Sequence, residues 1–258
     1  CSPAFGQASM EKVRDTVSKA VAQIRRADYE GDRAALQRLY EDLAPYAADA
    51  QISSRVQYWR GFAMWRRAIN GFNESVDARE QERDLMLGLG AFRDAAQKEP
   101  AFTDAKIAAL SSLGYLMYVN RSNPARIQEL APEFRLLMLE VVMADPDNPR
   151  LLWVRGPSLW NTPPERGGGQ DKAIESYQKG LATIRQRKNA TSDSLEPAWG
   201  EPELLMSLAW SYLNRASPDL DAAESHAHAA LKIVPYWHYV RDILLPQIQG
   251  AKAKARPA

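Results

Sequence analysis

Phe92-x-x-Ala95-x-x-x-x-Pro100 returns as Met138-x-x-Val141-x-x-x-x-Pro146 and again as Ala227-x-x-Ala230-x-x-x-x-Pro235. A three-residue step sets two side chains on one helix face, and the proline five residues on ends that helix and turns the chain. The prolines stand 46 and then 89 residues apart. That spacing puts a repeat end without proline near residue 190, after Tyr177-x-x-Gly180 and in the polar stretch Asn189 to Ser194. A second series of small residues, Gly61, Ala109, Gly156 and Ala209, is spaced by 48, 47 and 53. A small residue on one helix lets the next approach closely, so both series describe one unit, a helix pair repeated about four times. One pair cannot bury its own apolar faces. Stacked pairs can, and they predict a right-handed α-solenoid with a concave face.

The rest of the chain agrees with an all-α fold. Ala (39) and Leu (26) far outnumber the β-branched Val and Ile, and apolar residues recur at three- and four-residue spacing. Prolines and glycines punctuate the periodic stretches. They predict helices at 10–28, 31–49, 53–73, 77–98, 103–119, 124–144, 149–160, 170–187, 201–215 and 218–233, with a shorter one at 236–248. Ser217-Pro218-Asp219 reads as a helix start with Ser217 as the cap. The expected organisation is an N-terminal tether or signal remnant at 1–9, a single domain at 10–248 and a disordered basic tail at 249–258, which carries Lys252, Lys254 and Arg256.

Several of these segments resemble the tetratricopeptide repeat. Tyr58-Trp59-Arg60-Gly61-Phe62-Ala63-Met64 and Leu208-Ala209-Trp210-Ser211-Tyr212 are similar to its first helix, Asp171 to Leu181 to its second, and Ala144-Asp145-Pro146-Asp147-Asn148 to its closing turn. The likeness covers residues 31–235. Its spacing exceeds the 34 residues of that repeat, with the largest insertion at Asn73 to Met86, so it implies lengthened helices and irregular curvature. Pro163-Pro164-Glu165-Arg166-Gly167-Gly168-Gly169 also resembles a loop of the tetratricopeptide lipoproteins of TRAP-type transporters, the T components. That second likeness implies a periplasmic, ligand-binding accessory of an uptake system, with a closed pore and an oligomer.

Composition excludes several classes of chemistry. Lys plus Arg (33) against Asp plus Glu (32) leaves +1, so nothing recommends nucleic acid or an anionic membrane as a partner. The three His all lie between His226 and His238, and the one Cys is Cys1. Cys-cluster zinc sites, HExxH metalloproteases, CxxC redox chemistry and disulfide staples are thereby ruled out. Cys1-Ser2 has two processing readings. It is the start of a mature bacterial lipoprotein acylated on Cys1, or Gly6-Gln7-Ala8 closes a signal peptide cut before Ser9. Both put the protein in the periplasm or on the outer membrane, with any membrane contact made through the anchor. A meaningless boundary in a cytosolic protein is the bland alternative.

The seven Trp and ten Tyr are the most informative candidates, because large rings with one polar atom suit a wet groove and equally fill wide gaps between helices. Tyr58, Trp65, Trp160 and Trp210 are the expected ligand or partner contacts. Arg155-Gly156-Pro157-Ser158-Leu159-Trp160-Asn161 adds Arg155 and Asn161 if glycine and proline break the helix and expose donors to a carboxylate. Close packing at Gly156 is the alternative. Gly167-Gly168-Gly169 before a helix invites a phosphate cradle, but the Walker pattern fails at Gln170-Asp171-Lys172 and Asp171 would repel phosphate. Glu224 and His228 share a helix face without a third metal ligand. Glu201, Glu203 and the charged run Arg79 to Asp84 read as solvated faces. No nucleophile with an identifiable base stands out, and no cofactor is expected. The sequence therefore predicts a non-catalytic scaffold holding a peptide, a protein partner or a small ligand on an aromatic face. An enzyme hidden in the helices would need buried polar groups around Arg155 and His238.

Overall fold

The computed structural model describes residues 3–187 and 193–255, with side chains described from Met10 onward. Cys1, the expected acylation point, and the repeat end expected near residue 190 lie outside the described residues. Among the described residues the chain forms eleven α-helices and no strand: α1 (Pro3–Glu30), α2 (Arg33–Asp42), α3 (Ser53–Gly71), α4 (Ala78–Lys98), α5 (Thr103–Val119), α6 (Pro124–Ala144), α7 (Pro149–Asn161), α8 (Gln170–Gln186), α9 (Glu201–Asn214), α10 (Leu220–Ile233) and α11 (Leu245–Ala255). Short 3-10 turns at Ala44–Tyr46 and Pro164–Arg166 and a π-helical turn at Tyr239–Leu244 complete it.

The helix starts are chemical. Side chains of Asp32, Asp77 and Asn148 accept hydrogen bonds from free amides of the first turns of α2, α4 and α7. At α10 the cap is Asp219, accepting from Ala222 N at 3.0 Å, and not Ser217. The carboxylate serves a free amide more strongly than a hydroxyl and its position fits the start at Leu220. Helix also extends towards both chain ends. The stretch 1–9 is helical from Pro3, and the basic tail is helical as far as Ala255, where Lys252 pairs with Asp221 and Glu224 at 2.6 Å each.

The single domain expected for 10–248 divides into two compact units, Cys1–Val141 with Asp193–Pro197, and Val142–Ser192 with Ala198–Ala258. In the first unit α3 packs on α4, α4 on α5 and α2 on α3. One small residue and one large residue of the two series meet there, Gly61 of α3 and Phe92 of α4. A Cβ on Gly61 would lie 2.8 Å from the Phe92 ring, so the missing side chain of α3 is the space that Phe92 of α4 fills. Phe92 is fully buried, worth roughly 1.5–3 kcal/mol relative to an exposed ring. Trp59, Phe62 and Trp65 close this core. The returning segment is tied in by the Trp59 indole, which donates to Leu195 O at 2.7 Å. Arg55 also holds it, bridging Glu99 and Glu196 above the Phe102 ring. α6 buries only Leu130 and Val141 and leaves Leu136, Leu139 and Met143 exposed.

In the second unit α7 packs on α8, α8 on α9 and α9 on α10. Gly156 of α7 repeats the role of Gly61: its Cβ would lie 2.1 Å from the Tyr177 ring of α8. Trp153 stands edge-on to Trp199 at 5.6 Å and donates to Ser207 Oγ at 2.9 Å. Ala209, Ala223, Ala227 and Ala230, all buried, let α9 and α10 approach.

Charged groups expected on solvated faces are partly internal. Asp84 is fully buried and paired with Arg67, while Glu80 accepts from Arg33 at 2.7 Å and from Arg67 at 2.8 Å. Burial pushes the Asp84 carboxyl up despite these guanidinium groups; Glu80, at the rim, is held below the usual carboxylate range by Arg33. Glu203 is fully buried and accepts from Gly200 N at 2.8 Å, capping α9. Glu201, nearly buried, pairs with Arg185 at 2.9 Å. Facing arginines and free amides from elsewhere in the chain make these positions habitable for a carboxylate.

Candidate functional site

The six expected contact residues separate by burial. Tyr58 and Trp65 are fully covered in the first unit, Tyr58 edge-on to Trp59 and Trp65 edge-on to Phe62. They are core residues, and the groove contact expected of them is withdrawn. The gaps left by Gly61 and Gly88 between α3 and α4 draw aromatic rings inward. Of the seven Trp, five (Trp59, Trp65, Trp153, Trp199 and Trp237) are buried. Trp160 is half-buried and Trp210 is 36% exposed. These two meet edge-on at 5.1 Å in the second unit.

Trp160 lines a cleft of about 690 Å³ with Asn161, Thr162, Pro163, Pro164, the three glycines, Gln170, Asp171, Lys172, Arg215, Ala216 and Ser217. Local sequence builds each wall. Thr162 is extended, as the residue before a proline prefers, and this stops α7 just after Trp160 and Asn161. The chain then folds back over the end of α7. Gly167 (φ 82) and Gly169 (φ 109) take left-handed conformations, and a Cβ on Gly168 would lie 2.3 Å from Thr162 O, so only glycine fits. The opposite wall is the connection from α9 to α10. It is held by Ala216 N donating to Gln170 Oε1 at 2.9 Å and by Arg215 pairing with Asp171 at 3.1 Å.

The glycines do not form an anion cradle. Gly167 N donates to Pro164 O, Gly168 N to Pro163 O and Gly169 N to Leu159 O. What the cleft offers is a half-buried aromatic face, two prolines, and a charge set of Lys172, Arg215 and Asp171. Lys172 is engaged by Glu175 at 2.6 Å, which raises its ammonium above the usual value.

Arg155 is half-buried on α7 and is not part of the cleft lining. The helix break proposed around it does not exist. α7 runs unbroken through Pro157 to Asn161, and Gly156 is the packing site for Tyr177. Asn161 lines the cleft and donates one side-chain N–H to Pro157 O at 2.8 Å. Arg215 was missed by the sequence reading. Its signal was its place at the end of a Trp-bearing helix, just before Ser217-Pro218. His238 is exposed and pairs with Asp242 at 2.8 Å. His226 stacks on Tyr212 at 5.6 Å, and burial lowers its pKa. Among the described residues no group of three or more His, Cys, Asp or Glu is placed to hold a metal ion, and no helix is long and apolar enough to cross a membrane.

No family model matches the chain, and no curated protein matches it. The tetratricopeptide likeness therefore rests on the residues quoted above. Among solved structures, the HusA haemophore from Porphyromonas gingivalis is similar: TM-score 0.59 and 20% identity over 80% of this chain and 96% of that one. That likeness shows the fold.

Proposed function

We propose that the protein is a non-catalytic binder, built from tetratricopeptide-like hairpins within each unit, that holds a flat apolar ring in the cleft of its second unit. The observation that carries this reading is the sorting of the tryptophans: only Trp160 and Trp210 reach solvent, they touch, and one of them lines the cleft. A half-buried indole with a second ring fixed against it is a ready stacking platform with little side-chain entropy left to lose. The cleft volume lies within the roughly 300–1,000 Å³ of small-molecule sites. The solved structure of like fold is named a haemophore, and haem is a flat tetrapyrrole of this kind. The lining holds no His, Cys, Met or Tyr, so the cleft supplies none of the usual axial ligands to iron. The reading therefore concerns the ring, and metal-free and iron-containing rings are expected to bind alike. An envelope location belongs to the same proposal, and cell fractionation checks it.

The test is a fluorescence titration with protoporphyrin IX. The wild type is expected to bind it, Trp160→Ala to weaken binding at least tenfold, and Trp65→Phe, a change in the buried core, to leave it unaltered. Equal affinity in wild type and Trp160→Ala, or no binding to the wild type, would refute the proposal.

A further inference from the structure

The charges around the cleft narrow the ligand class further, on the strength of the ring-binding reading above. The lining carries two cations and one anion, Lys172 and Arg215 against Asp171. Lys172 is held by Glu175, which does not line the cleft. Arg215 is the more sheltered cation, its side chain 31% exposed, and its partner Asp171 is 78% exposed. An ion pair with one member so far in water contributes little to stability, because solvent screens it and the long side chains lose freedom in holding it. A ligand carboxylate arriving on the sheltered side can replace Asp171 at the guanidinium without leaving a sheltered charge unpaired: Arg215 exchanges one carboxylate for another, and Asp171, already largely in water, is released to solvent. The guanidinium fork suits that exchange, since it binds a planar carboxylate through two parallel N–H donors. No competing anion site exists at the glycine turn, whose three amides are already donated to Pro164, Pro163 and Leu159 carbonyls.

We infer that the ligand is a flat ring carrying at least one carboxylate, that Arg215 is the residue that reads the carboxylate, and that Asp171 is a placeholder which the ligand displaces. Trp160 then supplies ring affinity and Arg215 selects for the acid. Asp171 lowers affinity for every anionic ligand, because its contact with Arg215 must be broken first and its charge repels the newcomer.

The experiment titrates protoporphyrin IX and its neutral dimethyl ester, in the same mixed solvent, against wild type, Arg215→Gln and Asp171→Asn, with circular dichroism to show that each variant is folded. The wild type is expected to bind the acid about tenfold or more tightly than the ester, the scale of a charge-assisted hydrogen-bonded pair. Arg215→Gln should bring the acid down to the affinity of the ester and leave the ester unchanged. Asp171→Asn should tighten the acid several-fold and leave the ester unchanged, and it tests the inference independently should Arg215→Gln fold poorly. Equal binding of acid and ester by wild type, an equal loss of both in Arg215→Gln, or weaker acid binding by Asp171→Asn would overturn the inference while ring binding stands. Failure of both rings to bind wild type would overturn the ring-binding reading and this inference with it.

Discussion

Gly156→Ala should destabilise the second unit, and the sign of the change is what makes it informative. Gly156 lies inside α7 and is not among the residues with positive φ, so its backbone accepts any L residue. In a solvent-facing helix this substitution would stabilise by about 1 kcal/mol, the difference in helix propensity between the two residues. Here the new methyl group would lie 2.1 Å from Cε1, Cζ and Oη of Tyr177. Non-bonded carbons settle roughly 3.5–4.0 Å apart, so the ring or the helix must retreat by about 1.5 Å. Tyr177 is 5% exposed and has little free space to retreat into. Overpacking of this kind costs roughly 1–3 kcal/mol, and for so close an approach the upper end applies, which leaves a net loss of about 2 kcal/mol after the propensity gain. Urea unfolding followed by far-ultraviolet circular dichroism should show a lowered midpoint at unchanged slope. Tyr177→Leu in the same chain should recover part of the loss, with a coupling of about 1–3 kcal/mol between the two sites. A Gly156→Ala midpoint at or above that of wild type would refute the close-packed hairpin, and with it the assignment of Gly156 to packing instead of ligand contact.

Asp28 and Arg66 form a buried ion pair at 2.7 Å between α1 and α3, with Asn70 donating to the same carboxylate at 3.1 Å. Asp28→Asn should cost about 3–5 kcal/mol, the usual penalty for stripping a buried charge of its counter-charge, read as a fall in urea midpoint. Glu99 is held below the ordinary carboxylate range, chiefly by its hydrogen bond from Arg55. Because its folded pKa is the lower one, its stabilisation is complete above the unfolded value and is lost as pH falls through the folded one. Glu99→Gln should therefore lower the neutral-pH midpoint and flatten the acid-side decline, as a midpoint-against-pH series would show. Glu203→Ala removes the bond that Glu203 accepts from the Gly200 amide at the start of α9 and should cost about 1.5–3 kcal/mol, the usual worth of a hydrogen bond to a charged group, with the midpoint again the readout.

The helix register was legible because it is written in local chemistry. The predicted spans of α5 and α6 coincide with the observed ones, Thr103–Val119 and Pro124–Ala144, since prolines, glycines and acidic residues act on the turns beside them. The pairing of Gly61 with Phe92 and of Gly156 with Tyr177 was legible through the repeat frame, which placed small and large residues on facing helices. Which tryptophans reach solvent was not. Trp65 and Trp160 both sit on periodic aromatic helices, but Trp65 is covered by Gly88 and Phe92 of α4, while Trp160 stands at the end of α7 beside the cleft. The internal charges were half legible. Asp84 reads as part of an exposed charged run, yet it stands at four- and eight-residue steps before Gly88 and Phe92, on the buried face of α4. What the periodicity could not show is that Arg67 and Arg33 arrive from α3 and α2 to neutralise it. Arg215 went unnoticed because its meaning depends on Asp171 and the glycine turn, 44 residues away and beyond.

On the proposal above, a flat ring settles at Trp160 and Trp210 and at none of the other indoles. Fluorine NMR of protein labelled with 5-fluorotryptophan reads all seven indoles at once, with resonances assigned by single Trp→Phe changes. On addition of protoporphyrin IX, the ring current of the macrocycle should displace the Trp160 and Trp210 resonances and leave those of Trp59, Trp65, Trp153, Trp199 and Trp237 in place. Unmoved Trp160 and Trp210 resonances, or displacement of the buried five instead, would contradict the account.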